Sequence, residues 1–367
     1  MIDYFLTQAS LPEFNEYVEE IKSIWDNHWV TTMGPKHEMF ERHISEYMNA
    51  GDATLFVNGH NALEAVIAAY ELKGEIITTP FSFISTTHAI VRNGIKPVFC
   101  DIKENDFNID VDKIEELITS KTSAIVPVHM FGTPCEVERI EEIANKYNLK
   151  VIYDAAHAFG VEINGVNIAA YGDASIFSFH ASKVFNCIEG GCVICKHKDI
   201  STYLRKYRNF GNSPSGCEVI GTNGKMNEFM AAMGLCNLRH IDTSIEKRRC
   251  IYERYLEKIG DVSGITIPEV SVNIKRNYAY LPIVIPAQIR DRVFEDLNKD
   301  GIQALRHFYP IIPKQPCYRD FFAFNVDSIA EKISKEILLL PLYENLSLEE
   351  VDYISNLTLE KIQCYNI

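Results

Sequence analysis

Between about residue 50 and residue 200 the chain alternates short apolar runs with segments of helical period, a pattern that few folds accommodate. The apolar runs are Glu75–Thr78, Pro97–Cys100, Ala124–Val128, Lys150–Tyr153, Ala174–Phe179 and Gly191–Cys195. Helical spacing occupies Ser85–Asn93, Asp110–Thr119 and Val137–Tyr147 between the first four. An earlier helix is predicted over 61–73. Leu63, Val66, Ile67 and Tyr70 lie at i, i+3, i+4 and i+7, with Asn61 and Glu64 at capping-box spacing and Gly74 closing it. Strands alternating with helices build βαβ units and a mostly parallel sheet covered on both faces.

After residue 200 the pattern changes. Met226–His240 and Ser244–Lys258 read as two long helices, followed by an extended stretch at Tyr278–Ile285 and a helix at Ala287–Asp300. A Pro-rich passage and a last helix near Leu348–Leu357 complete the chain. The 367 residues suit two domains. The division expected is an N-terminal segment (1–25), a large α/β domain (26–240) and a smaller α+β domain (241–367).

The formal charge of −14 makes the chain a poor bulk binder of nucleic acid or anionic membrane. An anionic substrate would need a local pocket of N–H groups and a few basic side chains. No stretch reaches the roughly 18 uninterrupted apolar residues of a membrane span, and the opening MIDYFLTQASLPEF lacks the order of a signal peptide. The ten cysteines are dispersed, which reads as reduced thiols of a cytoplasmic protein. Cys192 and Cys195 have C-x-x-C spacing but sit inside an apolar run, so a strand is favoured over a redox or zinc site. No His/Cys/Asp cluster has zinc-ligand spacing, and no metal is expected.

Three features carry chemistry. Asn58-Gly59-His60-Asn61-Ala62 precedes the first helix, and a glycine before a helix start offers free N–H groups to a phosphate. A capped helix without a ligand is the competing reading. Asp154 follows the run 150–153 at the edge of the sheet where such folds bind ligands; a helix-capping Asp is its alternative. Ser178-Phe179-His180-Ala181-Ser182-Lys183 ends another run. A lysine there can form a Schiff base with an aldehyde, or be an ordinary surface residue.

In their order along the chain these features resemble the sugar aminotransferases of the DegT/DnrJ/EryC1/StrS family, pyridoxal-phosphate enzymes of fold type I. The resemblance begins at Trp29-Val30-Thr31-Thr32-Met33-Gly34-Pro35 and includes Pro127-Val128-His129-Met130-Phe131-Gly132 and Asp154-Ala155-Ala156-His157-Ala158. It continues through the lysine motif and Gly221-Thr222-Asn223-Gly224-Lys225-Met226-Asn227-Glu228 to Leu340-Pro341-Leu342-Tyr343. It implies an aspartate-aminotransferase-like fold, with a mostly parallel seven-stranded sheet in the large domain.

The roles of single residues follow as implications of that resemblance. Lys183 would carry the Schiff base with pyridoxal 5′-phosphate and later move the proton. Asp154 would pair with the pyridinium nitrogen, His157 would sit beside the phenolic oxygen, and Phe83 would stack on the ring. The phosphate would rest on the N–H groups of His60 and Asn61 beside the Ser178 hydroxyl. Asn223 would reach it from the partner subunit of an obligate homodimer. The family usually carries a small Thr or Ser where this chain has His60.

L-Glutamate would be the amino donor and a nucleotide-linked keto sugar the acceptor. Arg306-His307-Phe308-Tyr309-Pro310 looks like a stretch found in family members that act at C4 of dTDP-4-keto-6-deoxy-glucose. His307 replaces a second arginine there. Arg306, His307 and Arg208 are the candidate substrate contacts, the arginines through their planar fork. Lysine rather than histidine at 183 favours amine transfer over dehydration. Transfer to C3, or to a UDP-linked 4-keto sugar, is the alternative, and surface-polysaccharide synthesis such as O-antigen is the implied setting. His129 reads better as a core histidine than as a substrate contact. The acidic run Glu136-Val137-Glu138 with Glu141 and Glu142 reads as a solvated helix face. A Rossmann oxidoreductase would need Gly-x-Gly-x-x-Gly after its first strand, and none occurs.

Overall fold

The architecture follows from a period-two division of apolar side chains along seven strands. The computed structural model describes residues 2–268, 270–319, 321 and 327–365. The strands are β1 (Asp52–Phe56), β2 (Glu75–Thr78), β3 (Lys96–Phe99), β4 (Thr122–Val126), β5 (Lys150–Asp154), β6 (Ala174–Ser178) and β7 (Gly191–Cys195). They form one sheet in the order β1-β7-β6-β5-β4-β2-β3. β7 runs antiparallel to both neighbours, and the pairings from β6 to β3 are parallel.

One face buries Leu55, Ile77, Ile125, Tyr153, Phe177 and Cys192. The other buries Phe56, Ile76, Val126, Ile152, Ile176 and Cys195. Cys192 and Cys195 thus lie on opposite faces of β7, as three residues along a strand require, and cannot share a redox or metal site.

Helices cover both faces. α3 (Gly59–Ala69) and α4 (Ile84–Arg92) bring Leu63, Val66, Ile67 and Ile90 to the second face. α2 (Pro35–Met48) and α5 (Val137–Tyr147) bring Phe40, Ile44, Met48 and Ile140 to the first. Glu138, Glu141 and Glu142 of α5 point to solvent, whereas Glu136, the residue ahead of the helix, is half-buried and accepts from Lys103 and Arg139.

Three sequence expectations change. The cap of α3 is Asn58, whose side chain accepts the Asn61 N–H, so the helix starts earlier than a cap at Asn61 would allow. Asp110–Thr119 forms two single 3-10 turns, Val111–Lys113 and Glu115–Leu117. Its buried pair Val111 and Ile114 is three residues apart, a spacing the three-residue turn satisfies. The two long helices are one, α7 (Glu228–Ile259). Ile241, Ser244, Ile245 and Arg248 are all buried, which continues one helical stripe straight through the expected break.

α7 carries the chain into a second core. There β8 (Leu281–Val284) pairs antiparallel with β9 (Ile337–Leu340). α8 (Ala287–Lys299) and α10 (Leu348–Tyr365) pack against them through Val293, Leu297, Val351 and Ile354. No helix among the described residues is long and apolar enough to cross a membrane.

Candidate active site

Strand register decides where the chemistry collects. Gly191, the first residue of β7, pairs with Phe56 at the end of β1 and with Ser178 at the end of β6. Beside β6, β5 ends at Asp154, in register with Ile176. β1 leads directly to Asn58 and α3. The Gly59 and His60 amides precede the first intrahelical bond, from Ala62 N to Asn58 O. With the positive end of the helix dipole they make a turn that can hold an anion. Glycine is needed here because a Cβ on Gly191 would stand 2.5 Å from Gly59 N. The Asn61 amide is a correction. It donates to Asn58 Oδ1 at 2.8 Å, so the free donors are at 59 and 60 rather than at 60 and 61.

This edge opens into a cavity of about 360 Å3. Gly59, His60, Phe83, Asp154, His157, Ser178, Lys183 and His307 all line it. Asp154 is buried. Its Oδ2 accepts from Thr86 Oγ1 at 2.7 Å and its Oδ1 from Ala156 N at 3.1 Å. Burial pushes the carboxyl pKa up, while those two donors and the charge of Lys183 pull it back.

Lys183 sits on a tight turn, its N–H donating to His180 O at 2.9 Å. The turn is closed by Phe179 N to Gly190 O and Ala181 N to Ile188 O, both 2.8 Å. It is anchored by Phe185, whose ring stacks on Phe159 at 4.2 Å. The Lys183 Nζ lies 5.9 Å from the centre of the Tyr280 ring, and Tyr280 also meets His157 edge-on at 5.0 Å. Burial, then the charge of Lys183, hold His157 well below its ordinary pKa. The same causes bring His307 down to about 4. Both imidazoles are therefore neutral at physiological pH. Phe83, the residue ahead of α4, is 59% exposed at the cavity.

Two candidate substrate contacts lie elsewhere. Arg208 is buried and donates through Nη1 to Glu41 Oε1 at 2.7 Å and to Leu55 O at 2.8 Å. It ties α2 to β1 and does not line the cavity. Arg306 pairs with Asp291 of α8 at 2.8 Å and lies over the rings of Phe294 and Tyr309. Its aliphatic and planar parts cover α8 and it too lies outside the cavity lining. Asn223 also lies outside the lining of its own chain's cavity and accepts from Lys225 Nζ at 2.6 Å. Its loop is strapped down by Gly224 N to Arg208 O and Val57 N to Gly224 O.

His129 is a core histidine, fully buried, stacked on Tyr153 at 4.6 Å and accepting the Cys135 N–H. Sequence reasoning missed Thr86, Ser85 and Tyr280. A signal existed for the first two. Once Phe83 is placed ahead of α4, Ser85 and Thr86 fall in that helix's first turn.

A family model described as the DegT/DnrJ/EryC1/StrS aminotransferase family matches residues 13–358. The dTDP-4-amino-4,6-dideoxy-D-glucose transaminase of Shigella dysenteriae is 42% identical over 360 residues, 95% of this chain and 96% of that protein. Among solved structures, DesI in the presence of its TDP-sugar product superposes with a TM-score of 0.93 at 29% identity, covering 98% of this chain and 93% of that one. NtdA of Bacillus subtilis, solved with bound cofactor PMP, superposes with a TM-score of 0.87 at 27% identity, covering 95% and 82%.

Proposed function

The chain belongs to the DegT/DnrJ/EryC1/StrS aminotransferase family, and from that premise we propose that it moves an amino group from L-glutamate to the C4 keto group of dTDP-4-keto-6-deoxy-D-glucose, giving dTDP-4-amino-4,6-dideoxy-D-glucose. It is a pyridoxal 5′-phosphate-dependent aminotransferase. The observation that carries the chemistry is the convergence of one lysine amine, one buried carboxylate and one helix N-terminus on a single cavity. The sugar assignment rests on 42% identity to the Shigella transaminase along nearly the whole of both chains.

The side chains present suit the cofactor. Among the described residues no cation is bonded to the buried carboxylate of Asp154, and a protonated ring nitrogen is the partner that would keep it charged. The Nδ1 of His157 is buried with no hydrogen-bond partner among the described residues, which suits a histidine beside the phenolic oxygen. The Gly59 and His60 amides with the Ser178 hydroxyl would hold the phosphate, and Phe83 would cover the ring face.

When bound, the cofactor supplies an aldehyde for amines and a ring that takes up the electrons left behind by a departing proton. Lys183 Nζ would hold the cofactor through its aldehyde and, once freed by the donor amine, would carry a proton away from the donor's α-carbon. The same Nζ would deliver a proton to the sugar carbon in the second half-reaction. His307, neutral and beside this amine, would hydrogen-bond the sugar rather than bind it by charge. The enzyme would work in the cytoplasm as a homodimer with shared sites, Asn223 reaching the partner's phosphate. Residues 26–240 would act as the cofactor domain and 241–367 as the smaller domain. Exposed Trp25, Trp29, Phe210 and Ile220 support a covered apolar surface, and ten free thiols fit a reducing compartment.

An assay with glutamate and a panel of dTDP- and UDP-linked keto sugars, with NMR of the product, tests the proposal. Amine at C4 of the dTDP sugar is expected. Amination at C3, or of UDP sugars alone, overturns the substrate while leaving the family untouched.

A further inference from the structure

A chain of polar groups runs from the protein surface to the phosphate end of the cavity. Arg92 Nε donates to Glu64 Oε1. His60 Nε2 lies 3.4 Å from the same oxygen, and His60 Nδ1 lies 2.9 Å from Ser85 Oγ. Both His60 and Ser85 line the cavity together with Asn58, Gly59 and Ser178. We propose that the Ser85 hydroxyl is a ligand of the cofactor phosphate and that His60 is the positioning residue that aims it.

The Ser85 hydroxyl has one proton, and His60 sets where it points. With a hydrogen on Nδ1 the imidazole donates to Ser85 Oγ, and the hydroxyl proton is left to point at an anion. An anion at the phosphate end of the cavity selects that arrangement, because His60 to Ser85 and Ser85 to phosphate then each set a donor against an acceptor. The charged and titratable groups that face the ring are Glu64 on α3 with Arg92 and His88 on α4.

Glu64 is nearly buried, its side chain 10% exposed, one turn from the amides that would hold the phosphate. Arg92 donates to that carboxylate and offsets its charge, which would otherwise repel the anion. The first turn of α3 therefore gains a side-chain donor from α4 in addition to its own amides.

This inference rests on the cofactor reading above, and the test separates the two. The same phosphate chemistry is offered by the cofactor and by the nucleotide diphosphate; the proposal commits to the cofactor. The apoenzyme is titrated with pyridoxal 5′-phosphate and with pyridoxal, which lacks the phosphate, following the absorbance of the Lys183-linked aldehyde. Ser85→Ala is expected to weaken pyridoxal 5′-phosphate about tenfold, the cost of one charge-assisted hydrogen bond, with pyridoxal unchanged. Ser85→Thr restores affinity. His60→Leu lowers it by a similar factor, and the double variant loses no more than either single one.

Unchanged cofactor affinity in Ser85→Ala overturns the proposal, as does an equal loss for both aldehydes. A raised KM for the dTDP sugar with intact cofactor affinity also overturns it, by moving the hydroxyl to the nucleotide. A wild-type protein that develops no band overturns the cofactor reading and this inference with it.

Discussion

The ring-side wall of the cavity and the basic residues expected to hold the sugar make an instructive pair. Lys183, Asp154 and His157 all line the cavity. Of Arg208, Arg306 and His307, only His307 does. The difference lies in what fixes each backbone. Asp154 is the last residue of a central strand, and Lys183 sits on a closed turn directly after another. Sheet register therefore delivers their side chains to one edge. The two arginines sit at the end of α6 (Lys198–Tyr207) and in an irregular segment. With four side-chain torsions each, they found carboxylates elsewhere, Glu41 and Asp291.

The sharpest way to break this comparison is at the wall. Lys183→Ala should remove the cofactor band near the visible edge and lower kcat by about ten-thousand-fold, the scale of losing a positioned proton carrier. Comparable turnover in that variant would show that the wall is not where the reaction occurs.

Arg208 comes next. Its truncation leaves Glu41 deprived of its main partner below the sheet. Arg208→Met should therefore cost about 3 kcal/mol of stability in urea titrations, while the KM of the remaining folded enzyme for the sugar stays unchanged. A raised KM at unchanged stability would return Arg208 to the substrate side.

Much of this arrangement was legible in the sequence, and the failures have physical causes. Glu75–Thr78, Gly191–Cys195 and Val137–Tyr147 were readable to the residue, because apolar periodicity there coincides with burial on both faces of the sheet. β1 escaped notice: Asp52-Ala53-Thr54-Leu55-Phe56 mixes polar and apolar residues, and only pairing with β7 makes it a strand. The α3 cap was displaced because Asn58 and Asn61 are equally good capping residues. What decides is that β1 must reach Gly59 across Gly191. Thr86 and Ser85 were hidden because their partners, Asp154 and His60, are 68 and 25 residues away.

Two histidines separate burial in the scaffold from burial in the cavity. His37 of α2 is fully buried, and burial followed by the charge of Arg208 bring its pKa to about 4. His307 reaches about the same value beside Lys183. At pH 7 both are neutral in the folded and unfolded chain and contribute nothing. As pH falls from about 6.5 towards 4 the unfolded chain takes up protons that the folded chain refuses, so stability drops across that window. The loss is complete below about 4. His37 alone should account for about 3 kcal/mol. His37→Leu should flatten the fall in urea midpoint between pH 7 and pH 4, leaving the pH profile of kcat in place. An unaltered acid limb in that variant would assign the loss to other groups.

The smallest expected effect is the most discriminating for substrate recognition. Arg306 is about one-third exposed and its ion pair with Asp291 is open to solvent, so the pair contributes less than about 1 kcal/mol. Stacking on Phe294 and Tyr309 adds packing by its stem and plane. Arg306→Ala should therefore shift the urea midpoint slightly and leave the KM for the dTDP sugar within about twofold, whereas loss of a bidentate contact to the sugar would raise it tenfold or more. His307→Ala, one residue on, should raise that KM because its imidazole is in the cavity. If the two variants behave alike, the segment moves as a unit when sugar binds and Arg306 swings off α8. If only His307 matters, sugar recognition at this wall runs through a neutral hydrogen bond, and the net-acidic chain holds its anionic substrate with positive charge drawn from elsewhere.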